Sequence, residues 1–167
     1  MGTKMNLGRL TGAVALLSSF AVLVFAATAS AATTTLTFKE PEKGSTFAFV
    51  DNAPKSQLHH GFPTKFSAGD MLVFTNPLEA EGKTVGKIRV ACTATKTAST
   101  KHFAAAGFVC TGIAKVPGGT LVFAAMLSEG TTEGSIIGGT RNYAGARGTF
   151  VSKEHKGFST TTITLLE

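Results

Sequence analysis

The sequence predicts an all-β chain of eight antiparallel strands, closed as an up-and-down barrel or folded as a sandwich. Three observations carry that reading. Short segments rich in β-branched and aromatic residues recur along residues 33–166, and glycine- or proline-containing turns separate them at regular intervals. No segment after the first thirty residues shows a convincing amphipathic helical period.

The N-terminus reads as a processing signal rather than as part of the fold. Lys4 and Arg9 precede an apolar run from Leu10 to Ala27, and Ala29-Ser30-Ala31 supplies the small residues of a cleavage site. A signal anchor is the alternative, because the run approaches a spanning length, but the Ala-x-Ala pattern favours release. Residues 1–31 are therefore expected to be a signal peptide cleaved after about Ala31. That leaves residues 32–167 as a single secreted domain without a stable membrane span.

The first strand is expected over 33–38, continuing over 45–50 after a break at Pro41–Gly44. Residues 51–68 contain Pro54, Gly61, Pro63, His59 and His60 without helical period, and are expected to form a long loop across one mouth of the structure. Further strands are expected over 71–76, 83–95, 103–113, 120–127, 133–137, 148–152 and 160–166. Glu81-Gly82, Pro117-Gly118-Gly119 and Glu129-Gly130 mark turns between them. In residues 121–127 both alternating faces are apolar, so one is expected to line a cavity and the other to pack against a neighbouring subunit. Residues 138–148, glycine-rich and carrying Arg141 and Arg147, are expected to form a tight corner.

Charge and cysteine content exclude several classes. The chain carries a formal charge of +6, and loss of Lys4 and Arg9 with the leader lowers it to +4. Its Lys and Arg residues are scattered, there is no Trp and one Tyr, so a nucleic-acid partner is not expected. Cys92 and Cys110 lie symmetrically about Lys101. If the flanking strands form a hairpin, the two sulfurs meet, and an exported chain with an even cysteine count favours a disulfide over a metal pair or a nucleophilic thiol. His59 and His60 face opposite sides of an extended chain, and His102 and His155 lie far away, so no metal site is expected. No nucleophile elbow, phosphate loop or dinucleotide fingerprint is present, and no cofactor is expected.

Phe49-Val50-Asp51, the run Gly69-Asp70-Met71-Leu72-Val73-Phe74-Thr75-Asn76-Pro77-Leu78, Val85-Gly86 and the glycine corner with its terminal strand follow one another in order over residues 45–166. Together they resemble the allene oxide cyclase and dirigent families, which share an eight-stranded antiparallel β-barrel. The resemblance implies a barrel holding a small hydrophobic or amphipathic ligand, and a homo-oligomer, dimer or trimer.

It also places individual residues. Asp51 lies where dirigent proteins have their first aspartate and Arg147 where they have their arginine, but the second aspartate falls on Asn142, which is no general acid or base. Thr46 and Ala48 stand where the cyclases have a glutamate and an asparagine, whereas Asn76 keeps one of their polar water-site residues and Cys92 falls near a family cysteine. The jasmonate-precursor reaction is accordingly not expected.

The candidate ligand-binding residues are Asp51, Asn76, Arg147 and Tyr143, with Arg89 and Arg141 as further polar groups. The plain alternative is that Asp51 caps a turn, Arg147 is exposed or pairs between strands, and Arg141, replacing a glycine usual in the motif, lies on the surface. Two functions follow. One is a barrel that binds a small hydrophobic molecule and steers its cyclisation or coupling; the other is a non-catalytic secreted structural or cell-envelope interaction barrel.

Overall fold

A computed structural model describes residues 33–59 and 62–166, so the expected signal peptide lies outside the described residues. The N-terminal strand β1 (Thr33–Pro41) is followed by β2 (Thr46–Val50) and by three two-residue strands, β3 (Leu58–His59), β4 (Phe62–Pro63) and β5 (Lys65–Phe66). Then come β6 (Met71–Ala80), β7 (Lys83–Ala94), the two-residue β8 (Ala98–Ser99) and a 3₁₀ helix (Thr100–Ala106). The chain ends with β9 (Phe108–Val116), β10 (Gly119–Met126), β11 (Thr131–Arg141), β12 (Arg147–His155) and β13 (Phe158–Leu166).

Hydrogen bonding runs in the order β1-β13-β12-β11-β10-β9-β7-β6-β2, and β1 also pairs with β6. Eight long strands thus close into an antiparallel barrel, with β2 extending the place of β1 beside β6. Closure satisfies edges that an open sheet would leave exposed. Leu72, Ile88, Val90, Phe108, Leu121, Phe123, Ile136, Phe150 and Ile163 are buried inside. Their alternation with outward residues follows the two-residue period of the strands.

The turns fit their sequences. Between β6 and β7, Glu81 and Gly82 take φ values of +52° and +74°, the pair of positive angles that a two-residue hairpin turn matching the sheet twist requires. Cys92 lies directly opposite Cys110 in the β7–β9 pairing, and the two form a disulfide whose sulfurs are buried in the barrel.

Two expectations are corrected. The strand expected over 103–113 begins only at Phe108, because residues 100–106 turn into the 3₁₀ helix. Alanines at 104–106 favour helical backbone, and Gly107, at φ +60°, stops it in the left-handed conformation common at helix ends. Thr95 anchors the unit by donating from Oγ1 to the Gly107 carbonyl at 2.8 Å. The corner expected over 138–148 is also narrower, since β11 runs on to Arg141 and only residues 142–146 turn. Val122 pairs with Gly138 but Phe123 with Ile136, so Ile137 is an extra, outward residue in a β-bulge. The bulge absorbs locally the bend assigned to the whole glycine run.

Candidate functional site

Inward-facing side chains of β1, β6, β7, β9, β10, β11, β12 and β13 enclose a cavity of about 170 Å³. Phe74, Phe123 and Phe150 supply aromatic wall, with Ile88, Val90 and Cys110 completing the apolar part. Half-buried Leu127, Thr132 and Ser159 and exposed Glu154 lie at the end where β10 finishes and the β12–β13 turn begins, and form the mouth. Beside the mouth, where β9 begins next to the end of β10, the interior is filled. Phe66 packs edge-on to Phe108 at 5.0 Å between ring centres and tilts against Phe49 at 5.7 Å.

Two glycines shape the aromatic wall. Gly112 stands opposite Phe123 and Gly134 opposite Phe150, and a Cβ at either position would collide with the facing ring. The rings lie over the bare backbone of the neighbouring strand, which brings Phe123 and Phe150 into an edge-to-face pair 4.9 Å apart.

Glu40 is the polar feature of the cavity. Strand alternation in β1 puts it on the inward face with Leu36 and Phe38, and it is 7% exposed. Asn76 Nδ2 donates to its Oε2 at 2.9 Å, and the Thr161 hydroxyl donates to its Oε1. Asn76 comes from β6 and Thr161 from β13, so the carboxylate sits on the strand where the barrel closes and is held from both sides. A carboxylate offers about four lone-pair directions, of which these donors use two. It therefore retains capacity to accept from a ligand.

The candidates from sequence separate. Asn76 lines the cavity and orients Glu40. Asp51 lies in the loop after β2, where its carboxylate accepts from the Ser56 backbone N–H at 3.1 Å. Arg147 is exposed and donates to the carbonyls of Ile137 and Ala146 at 2.9 and 2.8 Å, which ties the start of β12 to the bulge. Tyr143 packs on the core from the 142–146 turn, at the end of the barrel away from the mouth, and its hydroxyl donates to the Pro117 carbonyl at 2.9 Å. Arg89 and Arg141 are exposed. None of these but Asn76 contributes to the cavity.

Sequence reasoning passed over three residues. Glu40 was legible in the Leu36-x-Phe38-x-Glu40 alternation, which puts an acid on an otherwise apolar face. Thr161, one of several threonines in β13, carries no such signal. Asp70 is completely buried and accepts from the backbone N–H groups of Ser67 at 2.7 Å and Asn52 at 2.9 Å, fixing both ends of the loop over the barrel. Its role is structural.

No family model matches the chain, and no curated protein matches it. Solved structures do. A pyocyanin demethylase superposes with a TM-score of 0.59 at 19% identity, covering 80% of this chain and 99% of that one. A pterocarpan synthase dirigent protein gives 0.51 at 20% identity over 80% and 83% of the two chains. A Diels-Alderase from Streptomyces koyangensis gives 0.55 at 14% identity over 80% and 64%. At these identities the likeness concerns architecture, and with the closed eight-strand topology it establishes that the chain has the allene oxide cyclase and dirigent-like barrel fold.

Proposed function

We propose that the protein is an exported barrel that admits one small, largely apolar molecule through the mouth beside Glu154 and holds it against the Glu40 carboxylate. The observation that carries this reading is a buried acid, oriented by two donors, facing an aromatic-walled cavity. A cavity of about 150 Å³ is enough for a benzene-sized guest, so the cavity here, at about 170 Å³, takes a single ring with a short substituent. Export is supported by the leader-like N-terminus and by the Cys92–Cys110 disulfide, which suits an oxidising compartment.

Such a site can steer a reaction with little acid–base machinery. The walls restrict a flexible substrate to one folded conformation, which lowers the entropic part of the barrier. Glu40 adds a fixed negative charge that favours positive charge developing nearby as a ring closes or two fragments couple. The proposal extends to a homo-oligomer, because the outer face of β6, β7, β9 and β10 exposes Val73, Val109, Ile113 and Met126.

The test is native mass spectrometry and thermal shift on the chain exported through an oxidising periplasm, against a panel of one-ring apolar compounds. One ligand per subunit is expected. Binding should fall about tenfold or more in Glu40→Ala, the size expected for loss of a buried charge-assisted hydrogen bond. Asp51→Ala and Arg147→Ala, outside the cavity, should bind as the parent does. A folded parent that binds nothing in the panel would overturn the proposal in favour of a filled structural barrel.

A further inference from the structure

The chain is basic overall, yet its cavity has the opposite sign. Glu40 and Glu154 are the charged residues among those lining it, and among the described lining residues there is no Lys, Arg or His. The basic residues at the end of β12 and in the β12–β13 turn, Lys153, His155 and Lys156, are exposed and do not line it. Lys39, adjacent to Glu40 in sequence, alternates to the outer face and lies with its Nζ 4.5 Å from the centre of the Phe158 ring. Arg147 lies at the other end of β12, away from the mouth, with its Nη1 on backbone carbonyls.

We infer, building on the binding site proposed above, that the cavity selects a small organic cation, a primary or secondary ammonium carried on a single aromatic or alicyclic ring. Three features of the site converge on that chemistry. Glu40 has lone pairs left after its bonds to Asn76 and Thr161, and an ammonium donates to them where a carboxylate ligand would be repelled. Phe74, Phe123 and Phe150 line the cavity, and an aromatic ring that meets a ligand with its face attracts a cation and disfavours an anion. At the mouth, the Glu154 carboxylate and the hydroxyls of Thr132, Ser152 and Ser159 offer acceptors along the entry path, where a cation exchanges its water for protein oxygens in steps.

The cavity volume limits the ring count to one. The charge pattern excludes fatty acids and other amphipathic carboxylates, which an apolar barrel with a basic lining would favour.

Three near-isosteric probes decide the matter on the wild-type protein by calorimetry at low salt: 2-phenylethylamine, 2-phenylethanol and 3-phenylpropionate. The amine should bind at least about tenfold more tightly than the alcohol, the size of one charge-assisted contact with cation–π support, and the propionate should not bind measurably. Glu40→Gln, which keeps shape and most hydrogen bonding, should bring the amine down to the affinity of the alcohol and leave the alcohol within about twofold. Glu154→Gln should lower the amine by a smaller factor.

Equal binding of amine and alcohol, or tighter binding of the propionate, would overturn the cation selectivity while leaving the binding cavity standing. Failure of all three to bind a folded protein would remove both. Because the probe series needs no variant, a folding defect in Glu40→Gln would not spare the inference from this test.

Discussion

Arg141 closes β11 at φ +56°, a left-handed conformation in which a side chain is strained by about 1–2 kcal/mol. The glycine that the family motif carries there would remove this strain, at an unfolded-state entropy penalty of about 0.4–1 kcal/mol. The first quantity exceeds the second, so Arg141→Gly should raise stability by about 0.5 kcal/mol or more, read as a higher urea midpoint at unchanged slope. Asp70 shows the opposite dependence. Asp70→Ala leaves the Ser67 and Asn52 N–H groups without their acceptor, and should lower stability by about 3 kcal/mol in the same titration, while a neutral Asn recovers part of it. At this scale the sequence was only partly readable. The resemblance pointed to Asp51 and Arg147 as charged groups, but where a side chain points depends on partners that no strand or turn pattern specifies. Ser56 draws Asp51 into a turn, and the bulge carbonyl at Ile137 draws Arg147 along the surface. Glu40 could have been found, since period-two alternation alone assigns its face.

The strands show why elements were more legible than side chains. Alternation and turn residues survive in any β-context, so β6, β7, β10 and β13 fall close to their expected positions, whereas the 3₁₀ helix spans too few residues to show a period. The aromatic wall depends on pairing between strands, as at Gly112 with Phe123. Gly112→Ala forces the Phe123 ring off its place, and should destabilise the barrel by about 1–3 kcal/mol while reducing the cavity and its ligand affinity together. The disulfide acts on β7 and β9 jointly. With its ends 18 positions apart in sequence, its removal by Cys92→Ser with Cys110→Ser should cost about 3 kcal/mol, seen as a lower melting temperature that no longer responds to reductant.

For the whole molecule the decisive event is closure, which the residues alone left open between sandwich and barrel because both use the same alternation. β1 decides it by pairing along its full length with β13 and meeting β6 at Lys39 and Glu79. That second seam has little main-chain pairing, so the side-chain clasp of Asn76 and Thr161 on Glu40 reinforces it. Hydrogen exchange should therefore find β1 and β2 opening before β7, β9 and β10, and Glu40→Ala should accelerate exchange in β1 and β6 well ahead of the rest. Protection that is uniform around the barrel would refute a weak seam. The disulfide bears on the molecule in another way. Cys92 and Cys110 are strand neighbours, and everything between them, the ends of β7 and β9 with the 3₁₀ excursion, forms a covalent ring set into the wall. A protease cut within residues 95–107 would yield two chains that migrate as one until reduced, both still contributing strands to the same barrel. The excursion is thus a place where the polypeptide can be nicked, lengthened or labelled without parting β7 from β9.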